Sequence, residues 1–72
     1  MENLIPTLEL MIQSIPSYMS RDKFVFYINS KDHLKLCLET KSLMLSYRGV
    51  KIKSKRSVRR RFVHLIHILN CN

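Results

Sequence analysis

Two groups of residues in this 72-residue chain have the capacity for chemistry: scattered His and Cys side chains of metal-ligand type, and one dense run of cations. The run is KIKSKRSVRRRF, residues 51–62, and it holds seven of the thirteen Lys and Arg side chains. Clustered cations recognise polyanions, because each one that neutralises a phosphate releases a condensed counterion. Thirteen Lys and Arg against five Asp and Glu leave a net charge of +8, an excess that points to nucleic acid or to an acidic membrane surface.

The metal-ligand group is weaker. Cys37, His64, His67 and Cys71 include a His-x2-His-x3-Cys spacing that zinc accepts. Against this, the chain has no CxxC pair, Cys37 suits a small core position, and Cys71 sits in the tail. The expectation is no metal and no cofactor. Two widely spaced cysteines also suit a reduced, intracellular protein, cytoplasmic or nuclear, better than a disulfide scaffold. Catalysis finds no support: Glu2, Glu9, Asp22, Asp32 and Glu39 form no evident pair, and a single Gly builds no phosphate-cradling loop. A binding module is expected, not an enzyme. Phe24, Phe26, Tyr27 and Tyr47 are candidates for a base-stacking platform, although alternating strand positions more often serve the core.

The elements that must position these residues follow from hydrophobic period. Leu4, Ile5, Leu8, Met11, Ile12 and Ile15 recur at helical spacing, with Pro6 tolerable in the first turn and Pro16 ending the run. FVFYI (24–28), LKLCL (34–38) and LMLSY (43–47) alternate with period two, which predicts three strands joined by the short polar segments NSKD and ETKS. A competing assignment makes residues 31–47 a helix capped by Ser30. After Gly49 the helical period returns in Val58, Phe62, Leu65, Ile66 and Leu69, with Ser54 or Ser57 as N-cap. The expected architecture is one α+β domain over residues 1–72: an α-β-β-β-α two-layer fold, with a three-stranded antiparallel sheet and two helices on one face. Cations in the first turn of that last helix oppose its dipole unless an anion binds there.

That order, with Ser54-Lys55-Arg56-Ser57-Val58-Arg59 after Gly49 and SKDH ending in His33, resembles the double-stranded RNA-binding domain family over most of the chain. The family's second helix opens Ser-Lys-Lys-x-Ala-Lys, and its first inter-strand loop carries Gly-Pro-x-His; Ser30 and Lys31 stand where that loop has Gly and Pro. The resemblance implies a module that reads A-form duplex by shape, without sequence specificity. It implies that Lys55, Arg56 and Arg59 clasp phosphates, extended by Lys53 and Arg60. His33 and Lys31 would enter one minor groove, and Thr7, Glu9 and Gln13 of the first helix the other. Two roles fit such a module: shielding duplex RNA from silencing or sensing, as a viral suppressor does, and docking RNA for a processing complex.

Alternative partners are a second copy or another protein, through the sheet edge or the last helix. The apolar runs are too short for a membrane span, and no membrane partner is expected. A basic amphipathic last helix lying on a membrane surface is the remaining alternative.

Overall fold

The computed structural model describes residues 4–68. It is an α+β fold of two helices and a four-stranded mixed sheet. Helix α1 spans Ile5–Gln13 and buries Leu8 and Ile12, one turn apart, with Pro6 in its first turn. It stops where Ser14 turns its hydroxyl back to the Met11 carbonyl, 2.6 Å away, two residues before Pro16. This agrees with the period of the apolar residues.

Strand β1, Phe24–Ile28, follows a short 3-10 turn. The chain then departs from the expected meander. Residues 30–40, expected as a joint and a strand, form helix α2, Ser30–Thr40. Its cap is Asn29, whose side chain accepts the Lys31 N–H at 2.8 Å. The competing helical assignment is therefore nearer, with its cap one residue late, at Ser30 in place of Asn29, and its end too late. Only Leu36 of the three alternating leucines is buried, whereas Leu34 and Leu38 are 61% and 70% exposed. The inward face is Asp32, His33, Leu36 and Cys37, a helical set. The segment SKDHLKLCLE has no β-branched residue and consists largely of good helix formers, so local preference and the Asn29 cap prevail over the apparent alternation. Lys41 closes α2 in the left-handed conformation, φ 55°, its N–H bonded to the Cys37 carbonyl.

The expected strand 43–47 shrinks to β2, Ser46–Tyr47, which turns through Arg48 and Gly49 into β3, Val50–Ser54. Both turn residues have positive φ, 50° and 88°, the signature of a tight type I′ hairpin. The last element is also different. Residues 63–67 form strand β4, Val63–His67, not a helix, and Val58 and Phe62 belong to the loop before it. The segment FVHLIHI is β-branched and aromatic, and the three arginines before it would sit against a helix dipole. The chain avoids that conflict by forming no helix there.

The sheet order is β2-β3-β1-β4; β1 and β3 run parallel, while the two edge strands pair antiparallel. The family-like order α-β-β-β-α and the all-antiparallel sheet are thus replaced by α-β-α-β-β-β around a parallel central pair, because α2 acts as the crossover. Phe24, Phe26 and Ile28 from β1, with Val50 and Ile52 from β3, form one core with Leu8, Ile12 and Leu36 of the helices. Both helices therefore cover one face. Phe26, Leu8 and Ile28 are its largest fully buried side chains. No helix among the described residues is long and apolar enough to cross a membrane.

Candidate nucleic-acid interface

Strand β3 alternates between the two faces of the sheet. Val50 and Ile52 enter the core, which sends Lys51 and Lys53 to the face without helices. On that open face the register sets Tyr27 between Lys53 and His64, and buried Val25 between Lys51 and Ile66. The Lys55 backbone N–H reaches the Ile28 carbonyl at 2.8 Å, so the chain stays beside β1 past the end of β3. The Lys55 ammonium then lies 4.8 Å from the Tyr27 ring centroid. Lys51, Lys53 and Lys55 thus follow one line at two-residue intervals, about 6.6 Å apart in an extended strand. None of the four strands contains a carboxylate.

Loop 55–62 carries the other four cations of the run, Arg56, Arg59, Arg60 and Arg61, and the amino end of α2 pins it down. The Asn29 side chain caps α2 and also donates to the Val58 carbonyl at 2.8 Å and the Arg56 carbonyl at 3.4 Å. Asp32, only 6% exposed, receives the Arg60 guanidinium at 2.7 Å on one oxygen and the Arg61 backbone N–H at 2.6 Å on the other. Burial pushes the Asp32 carboxyl up. The Arg61 N–H, the Arg60 hydrogen bond and charge, and the charge of Lys35 together outweigh it and hold the group below the ordinary aspartate value. Arg61 adopts φ 69° at this clamp. Asn29 at the cap of α2 and Asp32 in its first turn therefore fix a loop that has almost no apolar anchor besides Val58, 7% exposed.

Two clefts flank the cations. One, of about 590 Å³, lies beside the first turn of α2 and is lined by Asn29, Ser30, Lys31, Leu34, Arg56 and Arg60. The other, of about 370 Å³, lies on the open sheet face and is lined by Tyr27, Lys55, Ser57, Val58, His64 and Ile66. Lys31, Arg56 and Arg60 are thus brought together around the first. Lys53 and Lys55 belong to the sheet side, and exposed Arg59 packs its guanidinium over Phe62, 5.3 Å from the ring centroid. The clasp of Lys55, Arg56 and Arg59 along one helix edge is not formed, since these residues occupy a loop.

The remaining candidates lie elsewhere. His33 is on α2, not in an inter-strand loop, with Nε2 3.0 Å from the Met44 carbonyl oxygen and 3.7 Å from Cys37 Sγ. It holds the segment after α2 in place. Thr7, Glu9 and Gln13 are on α1, in the helix layer, and Glu9 pairs with Arg48 at 2.7 Å. They share no surface with Lys51 and Lys53, which face the other way. His64 and His67 alternate across β4: the first lines the open-face cleft, and the second stacks on Phe24 with ring centroids 4.8 Å apart. No group of three or more metal-ligand side chains converges among the described residues; Cys71 lies outside them. Of the aromatic candidates, Phe24 and Phe26 are core and Tyr27 stands on the open face.

Sequence reasoning missed Asn29, Asp32, Ser57 and Ile66 as site-forming residues. The signal for the first two was present: an Asn cap followed three residues later by the one acid in a basic neighbourhood. Comparison with known families, curated proteins and solved structures finds no match.

Proposed function

We propose that this protein binds RNA through its phosphate backbone, without reading sequence. The observation that carries this is the line of Lys51, Lys53 and Lys55 on a sheet face whose strands hold no carboxylate. A spacing of about 6.6 Å is commensurate with successive phosphates of one strand, and Arg56 and Arg59, on the loop held by Asn29 and Asp32, extend the positive surface beyond the sheet. Duplex RNA, the ligand implied by the sequence resemblance, offers such phosphates; the support is now a cationic sheet face and loop in place of a helix clasp. Shielding of RNA and delivery of RNA to a processing complex both use this property.

The test is binding to duplex RNA, duplex DNA and single-stranded RNA across a salt series. Engagement of about four or five phosphates gives a slope of log K against log salt of about −3 to −4.5. Affinity that does not change with salt would overturn the proposal.

A second reading, self-association, is favoured by the edge of β4. The Ile68 N–H bonds to the Lys23 carbonyl at 2.7 Å, and antiparallel alternation then turns the N–H and C=O groups of Val63, Leu65 and His67 away from β1. This edge has no Lys, Arg, Pro or acid within Val63–His67, the features that usually block strand addition. Sedimentation equilibrium over a concentration series tests it; a monomer at every concentration would refute it.

A further inference from the structure

The open-face cleft differs from the cleft beside α2 in having an aromatic ring in its lining. Val58 is 7% exposed, Ile66 is 43% exposed, and the Tyr27 ring lies beside them. Lys55, Ser57 and His64 stand at its polar rim. Its volume, about 370 Å³, falls within the range of small-ligand sites. Phosphate attraction needs only charge, so a cationic ridge has no use for an aromatic floor. A base does, because it stacks on aromatic and apolar surfaces.

We propose that this cleft is a nucleotide subsite that takes one unpaired base of single-stranded RNA, with the base against Tyr27 and Ile66 and its phosphate on Lys55 and Ser57. The inference rests on the RNA-binding reading above and names the form of RNA. In the free protein the Lys55 ammonium covers the Tyr27 ring at 4.8 Å. Contact with a charged phosphate is stronger than an exposed cation–π contact, so the ammonium moves to the phosphate and uncovers the ring for the base. On one side the backbone continues onto Lys53 and then Lys51, the next cations along the line. A duplex can follow the same ridge but cannot fill the cleft, because the faces of its bases are covered by their stacked neighbours.

The experiment compares a short RNA strand, a duplex with the same number of phosphates, and an abasic strand of the same length. Fluorescence anisotropy is recorded for the wild type and for Tyr27→Leu, Ile66→Ala and Lys51→Gln. The expected result is that the wild type binds the single strand about 10-fold more tightly than the duplex or the abasic strand, the scale of one stacked base. Tyr27→Leu removes that preference and leaves duplex affinity and salt slope unchanged, whereas Lys51→Gln weakens all three ligands and lowers the slope by about one. Should Tyr27→Leu fail to fold by circular dichroism, Ile66→Ala, at a half-exposed position, serves the same comparison with a smaller loss. Equal, salt-dependent binding of all three ligands by the wild type would overturn the subsite and leave the backbone reading standing. Absence of salt-dependent binding to any of them would overturn both.

Discussion

Asp32 and Arg60 are 28 residues apart in sequence and meet through Oδ1 and Nε at 2.7 Å, tying the first turn of α2 to the loop that carries the cations. The other Asp32 oxygen takes the Arg61 backbone N–H, so the carboxylate fixes backbone as well as side chain. A buried acid in a chain of net charge +8 thereby sets where part of the positive surface points.

Replacing Asp32 with Ala removes both hydrogen bonds and should cost about 2 kcal/mol, the scale for buried hydrogen bonds to a charged group. Urea unfolding checks this. Asn29→Ala should cost at least about 1 kcal/mol for the lost cap, with a further loss because Asn29 also holds the Val58 carbonyl.

Acid should release the loop before it unfolds the sheet. The Asp32 carboxyl is held below its ordinary value, so its contribution to stability is present above the unfolded aspartate pKa, about 3.9. It is lost as pH falls through the lower folded value. The urea midpoint of the wild type should therefore drop below about pH 4, and Asp32→Asn, already lacking the charge, should show a flatter profile there.

The identity of α2 can be tested by three leucines. A strand over residues 34–38 would place Leu34, Leu36 and Leu38 on one face with equal cost. In the helix, Leu36→Ala should cost about 2–5 kcal/mol, while Leu34→Gln and Leu38→Gln, at exposed positions, should each stay within about 0.5 kcal/mol of wild type. Thermal unfolding of the three variants provides the comparison.

Gly49 has φ 88°, and a Cβ there would meet Arg21 side-chain carbons only at ordinary contact distances, 3.7 and 3.8 Å. Space is available and the backbone conformation is the obstacle. Gly49→Ala should therefore destabilise the β2–β3 hairpin by about 1–2 kcal/mol, measurable by chemical denaturation.

Glu9 and Arg48 pair at 2.7 Å on the surface, with side chains 33% and 57% exposed. Such pairs contribute little, so Glu9→Gln should change stability by less than about 1 kcal/mol. It should not weaken RNA binding, since it removes a negative charge from the helix layer. A marked loss of binding would return α1 to the interface.

The sequence by itself determined the first helix, strand β1, the α+β class and the concentration of charge. These depend on local spacing: Leu8 and Ile12 one turn apart, Phe24, Phe26 and Ile28 alternating, seven cations in twelve positions. Tertiary structure decided the rest. Residues 34–38 alternate in sequence but bury only Leu36, because the Asn29 cap and a Leu-rich composition without β-branched residues favour a helix that leaves Leu34 and Leu38 to solvent. Residues 58–69 carry a helical stripe, yet β1 offers an unpaired edge on which Val63–His67 can form five cross-strand pairs. Backbone pairing with a distant strand is invisible to a periodicity count. The same pairing decided which residues surround Tyr27, and a contact to Asp32 across 28 residues decided how the cationic loop is held.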